Sequence, residues 1–389
     1  MKLRKDKWQS ISLNDICDIS VGSTPLRTKK EFWTNGTIPW FTIDDIRENG
    51  RAIYDTKQKI TELAFNKSSV KYLPANSILL CCTASVGEYA IAKIPLTTNQ
   101  QFIGLVIKDE NIILSDFLFH FSSTLKSKLL KLSGKTTIDF VPIYRVKDLP
   151  IPLPPLEEQK QIAALFQSID TAIEQVAGQE KNLKALQKSL ADGLLKPEPE
   201  FGNLVNKTNC TSTTFGEIAE CDKKYPEHEK EVDRFVGLEW IEADNFQLQG
   251  YGLVANGTTF TKRFAKGDVL FGKRRAYLKK VAIADFDGIC SGDILVIRAN
   301  AKKMMQELLP FYISADAFIN HAVSTSAGSL SPRTKWKDLA ELEVSIPDLK
   351  TQEKILNIFS QLQSALKLLK QQKTTLQHLK QKLLSEILG

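Results

Sequence analysis

The chain has 389 residues, 42% of them hydrophobic and 25% charged. That is too apolar for a disordered polymer and long enough for two or more domains. Formal net charge is +7, a weak pointer to a polyanionic partner, because much of the surplus lies in residues 350–389, where seven lysines face two glutamates. No apolar run approaches the ~20 residues of a membrane span. The charged start Met1-Lys2-Leu3-Arg4-Lys5-Asp6 leads into no signal-like apolar segment. The six cysteines, at 17, 81, 82, 210, 221 and 290, include no Cys-x-x-Cys pair. A zinc site or disulfide framework is therefore not expected, and a reduced cytoplasmic protein is.

In chain order, strand signals run over Ser77–Cys82, Tyr89–Ile94 and Phe102–Ile107. The proline-rich Pro150-Ile151-Pro152-Leu153-Pro154-Pro155 then leads into a long helix. Its apolar residues Ile162, Phe166, Ile169, Ile173, Val176, Leu183, Leu190 and Leu194 form a heptad seam, with Glu180 and Gln187 as polar layers. Lys196-Pro197-Glu198-Pro199 stops it. A second set of strand signals follows, over Val269–Phe271, Val281–Asp285 and Ile294–Arg298. After Ile346-Pro347 a second long helix repeats the seam at Ile355, Phe359, Leu362, Leu366, Leu369, Leu376, Leu383 and Ile387, with Lys373 and Lys380 at the polar layers. Each helix covers roughly 35–39 residues, or about 50–60 Å. A single seam on each calls for a partner, and a coiled coil is preferred over an ordinary core helix.

The chain is duplicated. Leu156-Glu157-Glu158-Gln159-Lys160-Gln161-Ile162 matches Leu349-Lys350-Thr351-Gln352-Glu353-Lys354-Ile355 at an offset of 193, without a gap to the chain end. Upstream, Ser77-Ile78-Leu79-Leu80 matches Asp268-Val269-Leu270-Phe271 at an offset of 191. The order is globular region, helix, globular region, helix, at residues 1–155, 156–199, 200–348 and 349–389.

The loops carry the candidate binding residues. In the second globular region Lys273, Arg274, Arg275, Lys279 and Lys280 surround Tyr277, with Lys262 and Arg263 nearby in sequence. Arginine can fork onto guanine edges or phosphates, and lysine offers phosphates a point charge. Arg333 and Lys335 in Ser331-Pro332-Arg333-Thr334-Lys335 suit phosphate contact. The first region offers Arg27, Lys29 and Lys30, beside Phe32-Trp33, and Lys135 and Thr136. For each loop the plainer alternative is a solvated surface.

Enzyme motifs fail. Ser133-Gly134-Lys135-Thr136 ends like a phosphate-binding loop, but Leu129 stands where the upstream glycine is needed. Pro347-Asp348 has no following Asp/Glu-x-Lys and aligns with Pro154-Pro155, so it reads as a helix start. Leu153-Pro154-Pro155-Leu156 lacks the Asn/Asp and aromatic that an adenine methyltransferase places around its proline pair. Cys81-Cys82 reads as packed strand, with a reactive thiol as the minor alternative.

Leu153-Pro154-Pro155-Leu156-Glu157-Glu158-Gln159 running into Ile162, Phe166 and Ile169-Asp170 resembles the central region of specificity subunits of Type I restriction–modification enzymes. So does Ile38-Pro39-Trp40-Phe41-Thr42-Ile43-Asp44-Asp45-Ile46. Phe271-Gly272-Lys273-Arg274-Arg275-Ala276-Tyr277 and Gly328-Ser329-Leu330-Ser331-Pro332-Arg333-Thr334-Lys335-Trp336 look like a common target-recognition type. The resemblance covers essentially the whole chain. It implies a mixed α/β (α+β) fold class: two globular target-recognition domains joined by two long antiparallel coiled-coil helices, in a pseudo-two-fold internal repeat. Each domain would read one half of a split site in double-stranded DNA. The helices would set the spacer and dock two methylase subunits, and restriction (motor/nuclease) subunits through them. The chain would itself be non-catalytic, with S-adenosylmethionine, ATP and Mg belonging to the partner subunits. One departure stands out: Cys82, Thr83 and Ala84 occupy the positions aligned with Lys273-Arg274-Arg275, so the two half-sites should differ. Two other readings remain: a stand-alone nucleic-acid-modifying enzyme, and a coiled-coil adaptor without DNA affinity.

Overall fold

The computed structural model describes residues 3–134, 139–196, 198–205, 209–222 and 232–389. It divides into two compact units, Met1–Val176 with Gln372–Gly389, and Ala177–Gln371.

The first unit opens with β1 (Gln9–Ser12), α1 (Leu13–Ile16) and β2 (Cys17–Val21). Next come β3 (Ile38–Phe41), α2 (Ile43–Asn49), β4 (Ala52–Ile53), β5 (Gln58–Ile60), α3 (Glu62–Lys67), β6 (Ile78–Cys81), β7 (Tyr89–Ala92), β8 (Thr97–Thr98) and β9 (Phe102–Ile107). Helices α4 (Ser115–Ser122), α5 (Leu125–Leu132) and α6 (Ile143–Lys147), strand β10 (Pro150–Leu153) and the start of α7 (Leu156–Leu194) complete it. Its strands form sheets ordered β2-β9-β6-β7-β4, β5-β3-β8 and β1-β10.

The second unit repeats the plan with β11 (Cys210–Thr214), α8 (Phe215–Ile218), β12 (Ala219–Cys221), β13 (Arg234–Val236), β14 (Gly252–Leu253), β15 (Lys262–Phe264), β16 (Val269–Gly272), β17 (Val281–Ile283), β18 (Gly288–Cys290) and β19 (Ile294–Ala299). There follow α9 (Leu309–Ser314), α10 (Asp316–Ser324), α11 (Trp336–Ala340), β20 (Glu343–Pro347) and α12 (Leu349–Leu388). The sheets are β12-β19-β16-β17, β14-β13-β18-β15 and β11-β20. Pairing of the central strands is repeated: β6 lies antiparallel between β7 and β9, as β16 does between β17 and β19. The six strand signals are all present: β9 keeps the expected bounds, β16 and β19 run one residue longer, and the segments expected to reach Cys82, Ile94 and Asp285 stop at Cys81, Ala92 and Ile283.

The unbroken apolar runs of β6 and β16 follow from burial of both sheet faces. Successive strand side chains point to opposite faces. Ile78 and Leu80 join Phe117 and Phe121 of α4 in one core, while Leu79 and Cys81 join Phe41 and Phe102 in another. Val269 and Phe271 likewise separate from Leu270.

The long helices show the expected seam. In α7 every seam residue, with Glu180 and Gln187, is buried or half-buried, whereas neighbouring Leu186 is 46% exposed. In α12 the same holds from Ile355 to Ile387, with Leu368 outside the seam 64% exposed. The sequence favours a coiled coil over core helices; the structure seats the ends of each helix in the units' cores. Ile162, Phe166 and Ile169 share the first unit's core with Leu384, Ile387 and Leu388. Ala191 and Leu194 share the second unit's core with Ile355 and Phe359. Within each unit, then, the beginning of one long helix meets the end of the other.

A buried glutamine fixes each helix start. Gln159 accepts from the Leu114 amide (2.9 Å) and donates to the carbonyls of Ile112 and Pro154 (both 2.9 Å). Gln352 accepts from Met305 (2.9 Å) and donates to Lys303 (2.8 Å) and Pro347 (2.9 Å). Both are fully buried, and each ties together three backbone groups, of which the bond to the proline carbonyl is itself buried. Asp348 caps α12 by accepting from the Thr351 amide at 2.8 Å. That bond holds its carboxyl below the usual carboxylate range, and Pro347-Asp348 is a helix start, as expected from sequence.

Candidate nucleic-acid interface

The site is built on the turn after the central strand of each unit. In the first unit, Cys82 donates its amide to the Gln101 carbonyl (2.8 Å), Ala84 to Asp139 (2.9 Å), and Val141 donates to Cys82 (2.9 Å). In the second, Lys273 donates to Asp293 (2.9 Å), Arg275 to Pro332 (2.8 Å), and Thr334 to Lys273 (3.1 Å). Bridges Thr83–Phe140 and Arg274–Arg333 complete the match. Ala84 and Arg275 both have left-handed backbones, φ 64° and 54°. So do the residues two before the return strand, Gly87 at 85° and Lys279 at 51°. A non-glycine residue held at positive φ carries strain, and here the flanking backbone bonds over-determine it. The two turns are one device bearing different side chains.

What the second turn presents is basic and aromatic. Arg274, Arg275, Tyr277 and Lys335 are exposed, and Leu330 on the facing segment is 89% exposed. Arg275 donates to the Leu330 carbonyl at 3.4 Å. Several cations chosen from sequence are engaged within the unit. Asp293 accepts from Arg333 Nε (2.7 Å) and Nη2 (3.2 Å) and lies 3.2 Å from Arg274 Nη1. The Arg333 bond, with the charges of Arg333 and Arg274, holds its carboxyl below the usual range despite partial burial. Lys279 pairs with Asp316 at 2.5 Å, which also takes Lys188 of α7 at 2.8 Å. Lys280 donates to the Leu238 carbonyl. Lys262 bonds Asp222 and the Ile294 carbonyl, both at 2.8 Å. Arg263 and Lys273 are half-buried.

In the first unit Arg27, Lys29 and Lys30 are exposed. The Arg27 guanidinium stacks 3.8 Å from the Trp33 ring centre and 4.6 Å from Trp40, and donates to Gln58 at 2.7 Å. Desolvation there lowers its pKa, while the rings offer a compensating cation–π contact. Lys29 sits 5.1 Å from the Phe32 ring centre. Lys135 and Thr136 lie outside the described residues.

Sequence reasoning missed three charged groups beside the first turn. Glu88 pairs with Arg51 (2.8 Å) and Lys126 (3.3 Å), next to a cavity of about 390 Å³ that Ser85 and Val86 help to line. It also missed Asp293. These partners are brought together only by the fold. The thiols are packed: burial pushes Cys82, Cys17 and Cys290 up to about 12, so none of these is a ready nucleophile. Among the described residues no three His, Cys, Asp or Glu side chains come together as a metal site, and no helix is long and apolar enough to cross a membrane.

A family model described as "Type I restriction modification DNA specificity domain" matches residues 5–185 and again residues 209–378. The chain belongs to that family. It is 35% identical over 193 residues to the Type I restriction enzyme MjaIX specificity subunit of Methanocaldococcus jannaschii, covering 49% of this chain and 44% of that protein. It is 37% identical over 156 residues to the EcoprrI specificity subunit of Escherichia coli, covering 39% and 38%. Those alignments span less than half the length of these relatives. A longer one, 23% identical over 395 residues, reaches 91% of this chain and 81% of the EcoDI specificity subunit of Escherichia coli. Among solved structures, the Type I restriction–modification S subunit from M. genitalium superposes with a TM-score of 0.58 at 17% identity, covering 100% of this chain and 98% of that one. A chain from a structure concerning complex assembly and conformational transition of the type I R-M system gives 0.61 at 17%, covering 99% and 98%. These likenesses show the fold: two domains joined by long helices, with each family segment matching one copy of the repeat.

Proposed function

We propose that this chain is the sequence-specific DNA-binding subunit that dictates the bipartite target of a Type I restriction–modification complex. Residues 1–155 and 200–348 each read one half-site, and residues 156–199 and 349–389 set the spacing and dock two methylase subunits. Restriction subunits join through those. The chain carries no catalysis of its own; the chemistry of S-adenosylmethionine, ATP and Mg lies with the partners, in the cytoplasm. One observation carries the reading: the same strained turn occurs in both units with Thr83-Ala84 in one and Arg274-Arg275 in the other. A fold conserved within one chain while its exposed tips diverge suits two readers of different sequences. Of the sequence-chosen residues, Arg27, Lys29, Lys30, Arg274, Arg275, Tyr277 and Lys335 are exposed, which supports the reading; among the described residues, Arg274 alone of these pairs with a carboxylate, that of Asp293.

The test is a salt titration of the full chain, alone and with its methylase subunits, against a randomised-duplex pool and duplexes selected from it. The reading expects a log–log slope of several units, about −0.9 per phosphate neutralised, and a preference for split sites. Salt-independent or absent binding would support the adaptor reading. Base modification or strand cleavage by the pure chain would support the enzyme reading.

A further inference from the structure

The two turns differ in more than their tips. Behind the second turn stands Asp293, and at the matching place behind the first stands Gln101: Lys273 donates its amide to the carbonyl of the one, and Cys82 to that of the other. Gln101 is neutral and bonds Asn99. Asp293 is an anion whose two oxygens both accept from Arg333, with Oδ2 shared with Arg274. The acid is present in the copy that carries the arginines and absent from the copy that lacks them.

Its geometry is that of a clamp. Arg333 meets it with Nε and Nη2, the side-on fork that fixes a guanidinium plane. Arg274 meets it through Nη1 alone, and its side chain remains 43% exposed. The backbones of Arg274 and Arg333 are bridged to each other, so both cations are tied in main chain and side chain. Asp293 itself is only 18% exposed. Lys273 is the other cation acting on it, while Asp316 is occupied by Lys188 and Lys279.

Resting on the DNA-recognition reading above, we propose that Asp293 is a specificity-determining positioning residue. It competes with backbone phosphates for Arg274 and Arg333, suppressing indiscriminate binding. It also holds Arg274 so that its remaining donors face a base edge in one orientation. A phosphate on arbitrary DNA must displace an intramolecular carboxylate to gain these arginines. A correct base pair uses the donors that the clamp leaves available, and the clamp survives.

The experiment compares the full chain with Asp293→Asn, Asp293→Glu and Arg333→Ala, titrating unselected and selected duplexes across salt. Asp293→Asn should bind the unselected pool about tenfold more tightly at moderate salt, with a slope steeper by about one to two, as one or two more phosphates are neutralised. Its ratio of selected to unselected affinity should fall. Asp293→Glu should restore the wild-type slope, a rescue that loss of packing would not allow. Arg333→Ala, should Asp293→Asn fail to fold, should leave unselected affinity within about twofold while lowering the ratio, because Arg333 is already occupied. Wild-type slope and ratio in Asp293→Asn would overturn the proposal. So would Arg333→Ala losing unselected affinity as a plain phosphate contact does. If the wild-type chain shows neither salt-dependent binding nor selection, the recognition reading itself fails, and the clamp with it.

Discussion

The turns at 82–88 and 273–280 share their hydrogen bonds and their left-handed residues and share almost none of their chemistry. The first is small and neutral at its tip, with its cations held behind it on Glu88. The second carries arginines and an aromatic at the tip, with carboxylates behind it. Charge has been moved from the flank to the tip while the backbone stayed put. In a strained turn fixed by main-chain bonds, side chains can change without cost to the fold, which is what a recognition surface that must diverge requires.

The helix starts give the opposite lesson, because there the chemistry itself is repeated. Replacing Gln159 or Gln352 by Ala would remove the shared partner of three backbone groups, one of them in a buried bond, costing about 1–3 kcal/mol in the unit concerned. Urea unfolding of each variant checks this, with a fall in midpoint at unchanged slope. Unequal losses would break the symmetry argued for the two helix starts.

The next effect separates the units by pH. His120 lies against Phe166 (ring centres 5.6 Å apart) in the first unit, where Phe311 stacks on Phe359 (3.8 Å) in the second. Burial pushes His120 down to about 4 from its ordinary 6.5, opposed by Asp170 nearby. The unfolded chain therefore binds the proton more readily between those values. The first unit keeps its full stability above pH 6.5 and loses up to roughly 3 kcal/mol as pH falls towards 4. His120→Phe should flatten that loss. Unchanged acid sensitivity would show that His120 does not titrate between the two states.

On the turn, Arg274→Ala should cost about 1–3 kcal/mol of binding and relax discrimination at one base position. Sequence alone suggested Lys279 and Lys280 as phosphate contacts. With Lys279 on Asp316 and Lys280 on the Leu238 carbonyl, replacing either should change the salt slope by less than one phosphate's share, about −0.9. A full share for either lysine would mean that it swings out to DNA.

Much of this architecture was legible in the chain. The 193-residue offset and the heptad spacing gave both long helices and the repeat, since periodic burial leaves a periodic trace. The core strands showed because both their faces are buried. Short, polar-edged strands such as β13 and β14 leave too few residues for a period to register. At the candidate site, the arginines were visible because they cluster with lysines around an aromatic within one short loop. Their partners were not: Asp293 and Arg333 are 40 residues apart, and only the sheet brings them together. The glutamine fasteners were in the repeated motif, but their role depends on carbonyls supplied by loops about 50 residues away.

The most direct test of two independent readers in one chain is an exchange of residues 214–345 for the matching segment of a relative. Methylated sites would then be mapped in cells expressing the chimaera with a matching methylase. The account predicts that one half-site changes while the other half and the spacer length stay as they were. A change in both half-sites, or in the spacer alone, would contradict it.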